Sequence, residues 1–204
     1  GAYFEVSLKK TIRAQKIALE NNLPIIYLVD SAGVFLPLQN QVFPDEAHFG
    51  RIFYNNAKLS SFGIPQIAAV MGPSIAGGAY LPVMCDKYII VDGASMFLAG
   101  PALVKAAIGQ EVSQEELGGS HTHTAISGTA DYRAKDDIDA LEHIKTIINN
   151  INHKNNKLFK KSESVDPIFS INDLTKLFNP SSPGQYNMYE IISRLVDGSE
   201  FHEF

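Results

Sequence analysis

The run Gly72-Pro73-Ser74-Ile75-Ala76-Gly77-Gly78-Ala79-Tyr80-Leu81-Pro82 decides how this chain folds. It follows Gln66–Met71, a short, largely apolar segment of the kind that forms a strand buried on both faces. Two glycines then open a helix. Pro82 is compatible with that helix only near its start, where backbone amides have no intrahelical acceptor. The run therefore predicts a passage from strand through loop to helix.

The same alternation of strand and helix extends in both directions from this run. Upstream, Pro24–Val29 predicts a strand covered on both faces, and Asp30-Ser31-Ala32-Gly33 follows it directly. Downstream, Lys87–Val91 and Met96–Leu98 predict two further strands. The alternation indicates a protein of the α/β class.

Start and stop signals place the other helices. Residues 34–45 are predicted to be a loop. The predicted helices cover residues 7–20, Glu46–Ser61 with Asp45 as cap, Pro101–Ile108, a short segment after the capping box of Ser113 and Glu116, Asp136–Ile151, and Met188–Val196. In Asp136–Ile151 a stripe at helical spacing is expected to face the core, formed by Ile138, Leu141, Ile144, Ile148 and Ile151.

The start of the helix after Ala76 is the best candidate for a chemical site. First-turn amides of a helix lack partners, and glycine lets a ligand approach the backbone closely. The N–H groups of Gly77 and Gly78 therefore fit an oxyanion hole, which hydrogen-bonds negative charge that develops on a substrate oxygen. Close packing of the helix on a strand is the simpler explanation on pattern alone, so both interpretations stay open. The spacing fits neither a P-loop nor a dinucleotide fingerprint.

Other residues with chemical potential have simpler structural explanations. Ser74 does not match the spacing of a nucleophile elbow and is interpreted as a turn serine. His121 and His123 lie two apart on a predicted extended segment, without a nearby cysteine or carboxylate to complete a metal site. Asp30 and Ser31 fit turn formation better than catalysis.

Bulk composition indicates an ordinary globular protein with one sizeable core. The 204 residues are 45% hydrophobic, and the net charge of −5 argues against nucleic acid or an anionic membrane as the main partner. Cys85 is the single cysteine, so we expect no internal disulfide, a buried thiol and a reducing compartment. No apolar run approaches the roughly 20 residues of a membrane span. The ends of the chain are interpreted as cut ends of a longer protein.

Several segments, in order along the chain, resemble the carboxyltransferase (β) subunits of biotin-dependent acyl-CoA carboxylases, most of all those acting on methylcrotonoyl-CoA and geranyl-CoA. The resembling segments are Asp30–Gly33, Val42–Asp45, His48–Asn55, Ala76–Tyr80, Phe97–Pro101, Leu103–Ala107 and Glu115–Gly119. Ala32 stands where the family usually has glycine, and Val34-Phe35 stands where it has Ala-Tyr.

The resemblance implies a crotonase-like (ClpP/crotonase) fold of repeated ββα units, incomplete in this chain. It implies that residues 1–151 are the latter part of an N domain and that residues 152–204 are a linker and lead-in to a C domain. It also implies that the Gly77 and Gly78 amides form the oxyanion hole for the substrate thioester. The residues that it places in contact with substrate are Ser31, Ala32, Gly33, Ala76, Ala79 and Tyr80.

The implied reaction is transfer of CO2 from carboxybiotin to an acyl-CoA enolate. Biotin would be carried by a biotin carboxylase or biotin carrier partner, the β subunits would form a hexamer, and no metal, nucleic acid or membrane would take part. The chain would work in the bacterial cytoplasm or the mitochondrial matrix. The basic face of the first helix (Lys9, Lys10, Arg13 and Lys16) is interpreted as solvated, or as a contact for coenzyme A phosphates.

Alternative functions remain open at this point. A biotin-dependent decarboxylase of the glutaconyl-CoA type would share the same thioester site. Propionyl-CoA and geranyl-CoA carboxylases would differ only in the acyl group. A scaffold without catalytic activity would keep the fold but would not bind acyl-CoA.

Overall fold

The computed structural model describes residues 1–151, 162–177 and 186–203. The chain divides into two compact units, Gly1–Ile151 and Asn152–Phe204. The first ten residues of the second unit and residues 178–185 lie outside the described residues. The assignment of the two ranges to an N domain and a lead-in to a C domain stays a prediction.

The first unit contains six parallel strands in two sheets. Four strands form a sheet in the order β1-β2-β4-β6, and β3 pairs with β5 in a small second sheet. The strands are β1 (Ile25–Val29), β2 (Gln66–Val70), β3 (Pro73–Ile75), β4 (Lys87–Val91), β5 (Ser95–Phe97) and β6 (Tyr132–Ala134).

Seven helices surround these sheets in the first unit. They are α1 (Glu5–Asn21), α2 (Gln39–Val42), α3 (Phe49–Ser61), α4 (Gly77–Val83), α5 (Pro101–Ile108), α6 (Gln114–Gly118) and α7 (Asp137–Asn150). A π-helix covers Thr122–Ile126. The described part of the second unit has α8 (Leu174–Leu177) and α9 (Met188–Ile192), with short 3-10 turns. Within the described residues, no helix is long and apolar enough to cross a membrane.

The core lies between the four-stranded sheet and the helices packed on it. Every residue of β2 is buried, as its apolar run predicts. Leu8 of α1 and Ile52 of α3 are among the fully buried side chains on the face that these two helices cover. A buried side-chain amide links α1 to β1: Gln15 Nε2 donates to the Tyr27 hydroxyl over 3.1 Å. Burial of that hydroxyl raises the pKa of Tyr27.

The expectation that β1 is covered on both faces is wrong for the described chain. Its residues alternate between buried and exposed, with Ile26 44% and Leu28 58% exposed. β1 forms one edge of its sheet, pairing only with β2 among the described strands. The Ile25 N–H donates to the Pro65 carbonyl on the β2 side, so the N–H and C=O groups of Ile26 and Leu28 point to the open edge.

The predicted start of α3 needs correction, and α9 ends at Ile192 rather than at the predicted Val196. α3 begins at Phe49 rather than Glu46, because the Asp45 N–H donates to His48 Nδ1 over 3.0 Å in a turn that delays the helix. In α7, Asp136 is the cap as its side chain suggests, accepting from the Asp139 N–H.

The buried stripe of α7 is narrower than the pattern predicts. Ile138 is 73% and Leu141 40% exposed, whereas Ala140 and Ile144 are buried. Residues 34–45 also differ from a plain loop, because they contain a 3-10 turn and α2. The capping box of Ser113 and Glu116 is confirmed.

Candidate functional site

The carboxyl ends of β1 and β3 meet beside the start of α4. The Ile75 N–H donates to the Ser31 carbonyl over 2.9 Å. A Cβ built on Gly33 would lie 3.2 Å from the Ile75 carbonyl oxygen and 3.6 Å from the Gly77 nitrogen. The two segments that the sequence singles out separately therefore form one surface.

Ala76 makes the turn between β3 and α4 in a backbone conformation that L-residues rarely adopt. Its φ is 53° and its ψ is −119°, in the half of the map where a Cβ is strained. Its N–H donates to the Phe97 carbonyl (3.1 Å), and its carbonyl accepts from the amides of Ala79 (3.0 Å) and Tyr80 (3.3 Å). The turn is therefore held on both sides. No sequence pattern signalled it, because alanine does not favour positive φ.

The N–H groups of Gly77 and Gly78 remain unpaired. Neither donates a hydrogen bond to any residue that the structure describes. Gly77 is half-buried beside the exposed Ala76, and Gly78 is buried. Because α4 is only seven residues long, its dipole contributes little, and the two N–H groups themselves are the source of positive potential. Two adjacent free donors are what an oxyanion hole requires.

The same two glycines are also required for packing. A Cβ on Gly77 would lie 2.4 Å from the Phe49 ring, and a Cβ on Gly78 would lie 2.2 Å from the Ser31 carbonyl oxygen. Both interpretations of the glycine pair are therefore compatible with the structure: the missing side chains allow close packing, and the packing leaves the amides free.

The other predicted site residues divide into those at the surface and those in the core. Ala32 and Tyr80 are exposed. Ser31 is buried, and its Oγ accepts from the Gly33 N–H over 3.2 Å, so this serine makes the turn after β1. Ala79 is 4% exposed and belongs to the core. We therefore do not propose a direct contact between the Ala79 side chain and a substrate.

An aromatic cluster supports the start of α4, and the sequence patterns had not identified it as a unit. The Phe49 ring packs edge-on against Phe53 at 5.0 Å and lies 5.2 Å from the Tyr3 ring. Phe53 in turn packs against Tyr80 at 6.1 Å. The cluster packs around the Phe49 ring, which fills the space beneath Gly77.

A groove leads to this surface along the open edge of β1. It has a volume of about 560 Å³ and runs past Lys10 of α1 to Asp30 and Ser31. Lys9 and Lys16, on the same helix, pair with Glu5 and Glu20 respectively. Of the four basic residues of this helix face (Lys9, Lys10, Arg13 and Lys16), Lys10 lines the groove.

Ser74 and Cys85 do not qualify as nucleophiles. Ser74 is fully buried, and its Oγ donates to the Gly72 carbonyl over 3.3 Å. Burial raises the pKa of the Cys85 thiol to about 12, which leaves it protonated near neutral pH. Both residues therefore have structural roles.

The expected extended segment with His121 and His123 is in fact helical. Hydrogen bonds of the His123 ring join the π-helix to β5 and to the loop that follows the π-helix, with Nε2 2.8 Å from the Met96 carbonyl and Nδ1 2.7 Å from Thr129 Oγ1. Among the described residues, no group of three or more His, Cys, Asp or Glu side chains is placed to hold a metal ion. His123 is therefore a structural residue.

Comparison with known proteins identifies the family. The family described as "Carboxyl transferase domain" matches residues 1–204. The chain belongs to the carboxyl transferase family. This membership accounts for the order of motifs along the sequence.

Several members of the carboxyl transferase family are close in sequence. The chain is 48% identical to the biotin-dependent 3-methylcrotonyl-coenzyme A carboxylase beta1 subunit of Mycobacterium tuberculosis, covering all of this chain and 39% of that protein. It is also 48% identical to the mitochondrial methylcrotonoyl-CoA carboxylase beta chain of Dictyostelium discoideum, covering all of this chain and 35% of that one. The chain thus spans between a third and two fifths of these relatives' length.

Solved structures of carboxyl transferases share the fold. The beta subunit of P. aeruginosa geranyl-CoA carboxylase is 37% identical, with a TM-score of 0.66 over 97% of this chain and 36% of that chain. Transcarboxylase 12S, with methylmalonyl-coenzyme A and methylmalonic acid bound, is 27% identical with a TM-score of 0.81 over 96% of this chain and 37% of that chain. The predicted α/β, crotonase-like fold is confirmed.

Proposed function

We propose that this chain supplies the thioester site of a biotin-dependent acyl-CoA carboxylase, which transfers CO2 from carboxybiotin to an acyl-CoA enolate. The observation that carries the proposal is the pair of free N–H groups at Gly77 and Gly78, beside the joined ends of β1 and β3. The 48% identity to methylcrotonoyl-CoA carboxylase beta chains supports a methylcrotonoyl-CoA-like substrate.

The proposed chemistry is electrostatic stabilisation of an enolate. When a proton leaves the carbon conjugated with the thioester, negative charge develops on the thioester oxygen, and the hydrogen bonds from Gly77 and Gly78 strengthen. Each such donor contributes roughly 3–4 kcal/mol in comparable enzymes. Carboxybiotin, brought by a partner, supplies the CO2 and, after releasing it, the base. The chain's own share is therefore to bind and orient the thioester and to hold its negative charge.

The groove beside β1 is our candidate path for the coenzyme A portion. It joins Lys10 to Asp30 and Ser31 next to the oxyanion donors, and an exposed ammonium group suits a phosphate. We propose the full protein as a β subunit that works with a biotin carboxylase or biotin carrier subunit, in a hexamer of β subunits. The compartment would be the bacterial cytoplasm or the mitochondrial matrix.

Geranyl-CoA carboxylase is the second candidate function. The 37% identity to the beta subunit of that enzyme supports it, and the thioester site would be unchanged. Turnover of the full-length protein with its biotin-bearing partner on methylcrotonoyl-CoA, geranyl-CoA and propionyl-CoA separates these activities. We expect the highest kcat/KM with methylcrotonoyl-CoA.

Replacing the Gly78 amide with an ester tests the oxyanion donors directly. A proline at this position would remove the N–H but would also place atoms against the Ser31 carbonyl oxygen, only 2.2 Å from a Cβ on residue 78. Glycolic acid in place of Gly78 deletes the N–H and adds no side chain. In the full-length enzyme we expect kcat for carboxyl transfer to fall by roughly 100-fold or more.

Gly50 provides the matched control for this replacement. It lies in the first turn of α3, its N–H also donates to no described residue, and open space surrounds it. The same ester at Gly50 should leave kcat close to wild type. A normal rate with the ester at Gly78 would show that the Gly78 N–H takes no part in catalysis.

A further inference from the structure

The turn at Ala76 combines an unusual backbone geometry with an unusual residue. A φ of 53° with a ψ of −119° is the conformation of the first central residue of a type II′ turn, where glycine is strongly preferred. The other non-glycine residues with positive φ include Asn22 at the end of α1, with φ 52° and ψ 46°. Asparagine tolerates that left-handed region well. Alanine has no polar side chain that could compensate for a positive φ through a local hydrogen bond, so Ala76 is strained in this turn.

This turn lacks the hydrogen bond that usually closes it. A closed turn would have the Gly78 N–H donate to the Ile75 carbonyl, yet no such bond is formed between these described residues. The turn is held instead from outside, because the Ala76 N–H donates to Phe97 and the Ala76 carbonyl accepts from Ala79 and Tyr80. The N–H groups of Gly77 and Gly78 therefore remain available for a ligand.

The methyl group of Ala76 lies beside Gly33, which has no side chain to contact it. A Cβ built on Gly33 would lie 3.7 Å from the Ala76 Cβ. Glycine in place of Ala76 would let the turn sample many more conformations. The methyl group therefore narrows the range of backbone conformations at residue 76, and with it the range over which the two free amides can reorient.

We propose that Ala76 is a positioning residue whose strained turn and methyl group hold the Gly77 and Gly78 amides open toward the substrate oxygen. This inference rests on the proposed function and adds the device that orients its donors. Misplacing catalytic groups by about 1 Å costs up to roughly 100-fold in rate, so loss of a partial constraint has a smaller but measurable effect.

The test is Ala76→Gly in the full-length protein with its biotin-bearing partner, measured by steady-state carboxylation and thermal unfolding. Glycine relieves the strain, so Tm should equal or exceed that of wild type. We expect kcat to fall roughly tenfold while KM for acyl-CoA changes less than about threefold, since coenzyme A contacts are untouched. Ala76→Ser keeps a Cβ at the same position and should recover most of the lost rate.

Asn22→Gly is the control, because it relieves a positive φ far along the chain from the site, at an exposed helix end. It should leave kcat unchanged. A kcat within about twofold of wild type for Ala76→Gly would overturn the inference. A fall in Tm with this variant would also overturn it, by showing that the methyl group matters for folding. Absence of carboxyl transfer by the wild-type protein would instead refute the proposed function itself.

Discussion

Gly77 and Gly78 meet two requirements with one residue type. Each has an N–H without a hydrogen-bond partner among the described residues. Each also lies so close to a neighbouring group that a Cβ would clash with it: the Phe49 ring for Gly77 and the Ser31 carbonyl oxygen for Gly78. The two neighbours differ in how far they can move. A ring at the end of a side chain can rotate, whereas a backbone carbonyl that already accepts the Ile75 N–H is fixed.

This difference predicts unequal costs for adding a methyl group. Gly77→Ala should destabilise the fold by about 1–2 kcal/mol and Gly78→Ala by about 3 kcal/mol or more, the range that overpacking produces. The free energy of unfolding is measured by urea denaturation followed by circular dichroism. Gly93→Ala is not a suitable control because its φ is +83°. Gly50→Ala, in open helical space, is suitable and should be neutral or slightly stabilising.

Residue-scale features of the site differ in how visible they are in the sequence. The glycine pair is visible because two glycines at a helix start have few explanations. The strain at Ala76 could not be predicted, because alanine does not favour positive φ. The role of Phe97 as acceptor could not be predicted either, because every residue type has a backbone carbonyl. The turn role of Ser31 could be predicted from its place after a strand.

At the scale of elements, short-range signals were reliable for α5, α6 and α7, which begin after a proline signal or a side-chain cap. α5 begins at Pro101 and ends before Gly109, as predicted. α3 begins later than predicted because Asp45 and His48 close a turn before the helix, in which the Asp45 N–H donates to the His48 ring. This interaction depends on the folded turn. The pairing of β3 with β5 brings Phe97 to Ala76, and this pairing depends on tertiary contacts rather than local pattern.

The link between β4 and β6 predicts a dependence of stability on pH. A hydrogen bond from Arg133, helped by one from Ser120, holds the pKa of Asp92 below its usual value. A lowered folded-state pKa stabilises the protein above the unfolded-state pKa of about 3.9, and the benefit disappears as pH falls through the folded-state value. Because both side chains are substantially exposed, the contribution is small, about 0.5 kcal/mol at neutral pH.

Asp92→Asn tests this link by urea denaturation at pH 7 and at pH 3. The variant should be less stable than wild type at pH 7, and the difference should shrink at pH 3 as Asp92 becomes protonated. Arg133→Met should show the same pattern, and the double variant should lose little more than either single one. A difference between Asp92→Asn and wild type that is equal at both pH values would contradict the electrostatic origin.

At the scale of the whole molecule, the chain is one part of the proposed enzyme. It spans 39% of one relative and 35% of another. We therefore expect the 204-residue chain alone to show no carboxylation of methylcrotonoyl-CoA. The measurement is incorporation of labelled CO2 from free carboxybiotin, with the full-length protein as the positive control. Transfer above the background rate would show that the chain is self-sufficient.

The fold class and the place of the site were predictable for one reason. Parallel strands put the segments that follow them at the same end of a sheet. Gly33 follows β1, and the chain that leaves the same end of the neighbouring strand β2 runs through β3 to Gly77, so the sequence order implies that the two glycines lie in one region. The exposed face of β1 was not predictable, because an apolar run has the same pattern whether its second face is covered within the described chain or beyond it. Ile26 and Leu28 belong to the apolar run, yet both are exposed.

The open edge of β1 has a consequence for handling the protein. Outward N–H and C=O groups at Ile26 and Leu28, flanked by exposed apolar side chains, form a template for the addition of strands from other molecules. We therefore expect the chain to aggregate through the open edge of β1 in concentrated solution. A lysine at the Leu28 position would act as a gatekeeper and keep the material in solution for crystallisation or spectroscopy.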